Sequence, residues 1–202
     1  FKEDEALQVA NTVLKKYLDL TGFKLPDKAA VMIAPTPIAD SQGWKAETRG
    51  STVVLLANPK KFEFWRNQLR IIFSHEMLHL WVPNSLKLEG DYDWFFEGFT
   101  LYTALLTVRE LGGIDFKEML DTLGRVYDVY LSHPDEQSLI DASETRWTNP
   151  ISQVFIKGML VAFLYDLKIR KESGGKLTLA DRYRELFSRR VAANANGNDV
   201  TI

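Results

Sequence analysis

The order of elements in this 202-residue chain predicts an α+β domain with segregated lobes. Three observations carry that reading. Apolar residues recur at helical spacing over Asp4–Leu20. Short β-branched runs bounded by Pro and Gly follow as far as Ala57. From residue 62 onward the pattern is almost wholly helical. A helix-and-sheet lobe is expected over 1–60, a helical lobe over 61–190 and a polar, Asn-rich tail over 191–202. With 46% hydrophobic residues the chain can bury the core of one domain spanning 1–202.

Each element has its own signal. Ala6, Leu7, Val9, Ala10, Val13, Leu14, Tyr17 and Leu18 recur at helical spacing along the first helix, which Gly22 ends. Ala29–Ile33, Trp44–Thr48 and Thr52–Ala57 read as strands of a small, mostly antiparallel sheet. Phe64–Trp81 reads as one helix stopped before Pro83. Asp93 is placed to cap a helix running to Leu111, ended by Gly112-Gly113. Asp115 followed by Glu118 forms a capping box for a helix to Leu131. His133–Pro150 is polar and reads as a long loop. Ile151–Glu172 is a long helix ended by Gly174-Gly175, and Thr178 caps a last helix to Arg190.

Composition excludes several function classes. The net charge is −2 with both signs interspersed, so no nucleic-acid footprint or basic membrane-binding face is expected. The absence of cysteine removes disulfides, thiolate metal sites and a cysteine nucleophile, and leaves the compartment open. No apolar run reaches transmembrane length. The chain opens on Phe1 and is expected to be part of a longer protein with flanking domains.

The chemistry starts at Ser74–Trp81, SHEMLHLW. Residues four apart on a helix share a face, about 6 Å apart along the axis, so His75 and His79 can offer ring nitrogens to one ion. Glu76 lies one residue round the helix and is placed to act on a water held by that ion. This division of labour is why the HExxH spacing suits zinc hydrolysis. A catalytic zinc needs a third protein ligand. Glu97 is the candidate: it is the one carboxylate in the apolar run Trp94–Thr100, where an unpaired buried charge would cost several kcal/mol. Seventeen residues, 80–96, lie between His79 and Glu97, enough for a helix end and a loop.

SHEMLHLW followed by WFFEGFTLYTALL resembles the gluzincin metallopeptidases, and more closely the catalytic domain of the glycyl aminopeptidase family. Two further stretches extend the likeness over most of residues 30–187. FIKGMLVAFLYDLKIRKESGGKLTLAD, Phe155–Asp181, resembles that family's C-terminal helical segment, and ETRGSTVVLLA resembles its substrate-edge strand. The resemblance implies a thermolysin-like fold, one zinc ion held by His75, His79 and Glu97, Glu76 as general base, and a peptide substrate. It leaves aminopeptidase and endopeptidase action open. It also suggests substrate binding by Glu47, which in related aminopeptidases would meet the free amine, and by Arg49. Read alone, both are solvated strand residues.

Three departures stand out. Phe155 occupies a position where related alanyl aminopeptidases carry an oxyanion-stabilising tyrosine, and a lost oxyanion donor typically costs about 100- to 1000-fold in rate. The ligand spacing is shorter than in the glycyl aminopeptidases. Leu101 stands four after Glu97, where thermolysin-like enzymes carry a carboxylate that orients a zinc histidine, so that support must come from elsewhere. Tyr92, Tyr102 and Tyr165 are candidates to replace the phenol, although their setting suits core-edge residues. Gly158 is expected to let its helix approach the HExxH helix, and His133 to lie on the surface. The expected function is zinc-dependent peptide hydrolysis. Phe155 motivates the alternative, a catalytically impaired gluzincin-fold binding or scaffold module that retains zinc.

Overall fold

The structure is a computed structural model that describes residues 3–35, 44–58, 62–86, 88, 90–133, 137–146, 148 and 153–195. The sequence-predicted tail lies outside them from residue 196 onward, as do the first two residues of the predicted Ile151–Glu172 helix.

Helix α1 spans Glu3–Thr21. Its buried residues Ala10, Val13, Tyr17 and Leu20 fall at helical spacing on one stripe. Strands β1 (Ala30–Pro35), β2 (Trp44–Arg49) and β3 (Thr52–Ala57) form a sheet in the order β1-β3-β2. Val53, Leu55 and Ala57 alternate into the core from the central strand. The expected mostly antiparallel sheet is corrected here. β2 pairs antiparallel with β3, but β1 runs parallel to β3 over its whole length. The β2–β3 hairpin turns tightly at Gly50-Ser51, with Gly50 at φ 55°, and β3 then sits between its hairpin partner and β1.

Helix α2 spans Phe62–Leu78, and the chain continues as a turn through His79 to Val82. Leu69, Ile71, Phe73, Met77 and Leu78 are buried on several sides of α2, so its C-terminal half runs through the core. The Tyr17 hydroxyl meets the Ser74 carbonyl at 2.9 Å and its hydroxyl at 2.7 Å, anchoring α1 to α2 one residue before His75. The Trp81 indole N–H donates to the Phe23 carbonyl at 2.8 Å.

The next helical segment starts at Asp93 and differs from the expected plain α-helix. Phe95–Phe99 form a π-helical turn before α3, Thr100–Glu110. Asp93 does not act as the expected cap; its carboxylate pairs with Arg146 at 3.2 Å. Helix α4, Phe116–Ser132, opens on the expected capping box, with the Glu118 N–H donating to Asp115 Oδ1 at 2.7 Å and the Asp115 N–H to Glu118 Oε2 at 2.8 Å. The expected loop 133–150 contains a short helix, α5, Leu139–Glu144, opened by a second capping box of Ser138 and Asp141. Helices α6 (Gln153–Glu172) and α7 (Leu179–Ala195) follow, joined through Gly174 and Gly175 at φ 61° and 81°. No helix among the described residues is long and apolar enough to cross a membrane.

Glycine decides how α6 meets the π turn. A Cβ on Gly98 would lie 2.3 Å from the Gly158 carbonyl carbon, and one on Gly158 would lie 2.7 Å from the Trp94 carbonyl oxygen. Gly158 therefore permits close approach to the π turn, not to α2 as the sequence suggested.

Candidate metal centre

Three elements converge on one point. His75 sits near the end of α2, and His79 follows in the continuing turn, its N–H 3.3 Å from the His75 carbonyl. Glu97 is the middle residue of the π turn. A π turn accommodates more residues per turn than an α-helix, so it changes the phase of the side chains that follow. Here that phase turns Glu97 toward α2 while its neighbour Gly98 meets α6.

The two histidine Nε2 atoms lie 3.1 Å apart, and Glu97 Oε2 lies 3.2 Å from His75 Nε2 and 3.3 Å from His79 Nε2. All three residues are buried. The far ring nitrogens decide the tautomers. His79 Nδ1 lies 2.8 Å from the Val82 carbonyl, which can only accept, so Nδ1 carries the proton. His75 Nδ1 lies 3.1 Å from the Thr100 hydroxyl. That hydroxyl donates to the carbonyls of Phe96 and, at 2.9 Å, Glu97, so it accepts from His75 Nδ1–H. In its neutral form each ring therefore aims its Nε2 lone pair at the other ring and at a carboxylate oxygen. Three buried acceptors at these distances repel unless a proton or a cation lies among them, so the trio has the donor chemistry to hold a metal ion. Thr100 and the Val82 carbonyl supply the orientation that Leu101 cannot.

Charge supports the same picture. Burial pushes the Glu97 carboxyl up, yet hydrogen bonds and charge from His75 and His79 hold it well below the ordinary carboxylate range. Burial pushes His79 down, but Glu97 and Glu76 raise it on balance. In the metal-free protein a raised His79 contributes stability below the ordinary value of 6.5, lost as pH rises through the raised value. A lowered Glu97 contributes stability above 4.5, lost as pH falls through the lowered value. Metal competes with these protons. At a fixed metal concentration the gap in melting temperature between metal-loaded and metal-free protein is therefore expected to widen from about pH 6 to about pH 8; a free-ion concentration of ~100 Kd corresponds to a stabilisation of about 2.7 kcal/mol. A gap that shrinks over this range in calorimetry would contradict the site.

Glu76 lines the same cleft, which measures about 640 Å³. The Thr48 hydroxyl lies 2.7 Å from both Glu76 Oε2 and the Glu76 carbonyl oxygen. Thr48 went unrecognised in the sequence, although strand alternation does place it on one face with Trp44 and Ala46. Register places Glu47 opposite Val54 and Arg49 opposite Thr52, on the sheet face away from Thr48. Glu47 borders the cleft as a residue of β2, and its carboxylate pairs with the Arg49 guanidinium at 2.7 Å; both side chains are exposed.

Arg146 was also missed. It follows α5, and its Nη2 lies 2.5 Å from Glu97 Oε1. Its guanidinium carbon stands 5.5 Å from the centre of the Phe155 ring, which is 6.4 Å from the His75 ring. None of Tyr92, Tyr102 and Tyr165 lines the cleft among the described residues. Tyr102 donates its hydroxyl to buried Asp166 at 3.0 Å instead. His133 caps the end of α4 and is exposed.

The comparisons with known proteins bear on the fold. A crystal structure of an aminopeptidase N family protein from Idiomarina loihiensis superposes on the whole chain with a TM-score of 0.79 at 20% sequence identity. The chain spans 41% of that protein's length. At that identity the likeness establishes a shared fold. No family model matches the sequence, and no curated protein matches it.

Proposed function

We propose that this chain is a zinc-dependent peptide hydrolase, its 202 residues forming one catalytic domain of thermolysin-like, gluzincin type. The observation that carries the proposal is the convergence of the His75 and His79 Nε2 atoms on Glu97 Oε2. Zinc–ligand bonds of about 2.0–2.1 Å at tetrahedral angles separate neighbouring donors by about 3.3 Å. The three separations, 3.1, 3.2 and 3.3 Å, suit one face of such a site. When bound, zinc supplies a Lewis acid for the peptide carbonyl and brings the pKa of a water in the fourth position toward about 7.

The chain's own residues do the rest. The Glu76 carboxylate, buried beside the trio and outside it, takes the proton of the attacking water and passes it to the leaving amine. Thr48 fixes that carboxylate by its hydroxyl. Among the described residues β2 is the edge strand beside the cleft, so its outward backbone N–H and C=O groups can pair with an extended peptide. Glu47 at the rim and Arg49 next to it are proposed to meet the substrate's end.

A hydrogen bond to a charged group contributes about 1.5–3 kcal/mol, so Thr48→Val is expected to slow hydrolysis about 10- to 100-fold. Thr48→Ser should restore most of the rate. Equal rates for the valine variant and the wild type would remove Thr48 from the mechanism.

Phe155 favours a second reading, a zinc-retaining binding module. The ring lies at the cleft wall and offers no hydrogen-bond donor. Peptide hydrolysis measured before and after chelation separates the two. Turnover lost to a chelator and restored by zinc supports the hydrolase; stoichiometric zinc without turnover supports the module.

A further inference from the structure

The Glu97 carboxylate has two oxygens with different partners. Oε2 faces the two imidazoles at 3.2 and 3.3 Å, while Oε1 is held by Arg146 Nη2 at 2.5 Å. We propose that Arg146 is a positioning residue for this metal ligand: by occupying Oε1 it confines Glu97 to one-oxygen ligation. The proposal rests on the metal-centre reading above.

The surroundings explain how Arg146 holds this place. Asp93 Oδ2 lies 3.2 Å from Nη1, so the guanidinium spans two carboxylates, Asp93 and Glu97. The planar fork of arginine suits this task, and one lysine ammonium would not span both in the same way. The Phe155 ring stacks beside the guanidinium, and the arginine side chain is 17% exposed. In such partly desolvated surroundings a charged hydrogen bond is strong and directional.

The backbone delivers the arginine there. The Ser138–Asp141 capping box sets the start of α5, and the Trp94 N–H donates to Ser143 Oγ at 3.2 Å. α5 is thereby docked on the residue that precedes the π turn, and Arg146 emerges two residues past its end.

The consequence is chemical. A catalytic zinc site keeps three protein ligands and an open fourth position. A carboxylate released to swing can add its second oxygen beside that position, raising the coordination number to five, because carboxylates ligate with one oxygen or two. Arg146 blocks this by drawing Oε1 away, and it leaves the fourth position to water and substrate. Its role is then to set coordination number, which a merely structural salt bridge would not do.

Cobalt substitution reads this directly. The purified chain is stripped by a chelator, loaded with Co²⁺ alone, and its visible absorption recorded. The wild type should show the intense band of four-coordinate cobalt. Arg146→Met should show the weaker band of five-coordinate cobalt, and a loss of metal affinity of about 10- to 100-fold. Arg146→Gln provides the same neutral test if the methionine variant does not fold. Arg146→Lys, which keeps one donor for Oε1, should recover much of the intense band. A wild-type spectrum and affinity in a folded neutral variant would overturn the role of Arg146. Failure of the wild type itself to take up cobalt would instead overturn the metal centre beneath it.

Discussion

Replacing Glu76 by glutamine is expected to abolish most peptide hydrolysis while leaving the metal in place. The reasoning separates two jobs. Glu76 is outside the converging trio, so the ligand set of His75, His79 and Glu97 survives. Glutamine has the same shape, and its amide oxygen can still accept from the Thr48 hydroxyl that sits 2.7 Å from Glu76 Oε2. What it lacks is a carboxylate able to take a proton. General base catalysis contributes about 10²- to 10⁴-fold, and the loss should fall in that range. Glu76→Asp keeps the charge but withdraws it by one methylene. A misplacement of about 1 Å can cost about 10²-fold, so this variant should also be slow. The check is steady-state kinetics together with metal content of the same preparation. Full activity in the glutamine variant would remove Glu76 as the base.

The second large effect is structural. Gly98→Ala is expected to destabilise the chain and displace Glu97 at once. The added Cβ would lie 2.3 Å from the Gly158 carbonyl carbon and 2.6 Å from the Met159 nitrogen. Those are backbone atoms inside a helix, so no side chain can swing aside. Overpacking costs about 1–3 kcal/mol where neighbours relax, and the upper end or beyond is expected here, a drop of about 10 °C in melting temperature for a chain of this size. Because Gly98 adjoins Glu97, the π turn can relieve the clash only by moving the ligand. Metal affinity should therefore fall with stability. Gly124→Ala in α4 is the control of opposite sign. A methyl group there would meet no atom within 4 Å, and replacing a mid-helix glycine should stabilise by about 0.4–1 kcal/mol. Thermal unfolding of the two variants side by side reads both effects.

Much of this arrangement was legible in the sequence because the signals were local. Helical spacing defined α1, the Asp115–Glu118 box opened α4, and the histidine pair four residues apart marked the end of α2. Glu97 stood out as a single charge among aromatics, and it is buried against both histidines. What stayed hidden was non-local or too short to show a period. The parallel pairing of β1 with β3 depends on which strand takes the centre, and alternation is blind to that. The π turn shifts the helical phase within five residues, too few for a window of apolar spacing to register. α5 has six residues, and its Ser138–Asp141 box was overlooked in a polar stretch. Arg146 carries no local mark, and alternation gives Thr48 a face but no role; only their partners in space, Glu97 and Glu76, give them meaning.

Metal content of the purified chain tests the central claim most directly. Elemental analysis of the wild type beside Glu97→Ala and His79→Ala should find close to one zinc per wild-type chain, removable by a chelator, and little in either variant. A wild-type chain that stays metal-free after incubation with zinc, or variants that retain as much as the wild type, would contradict it.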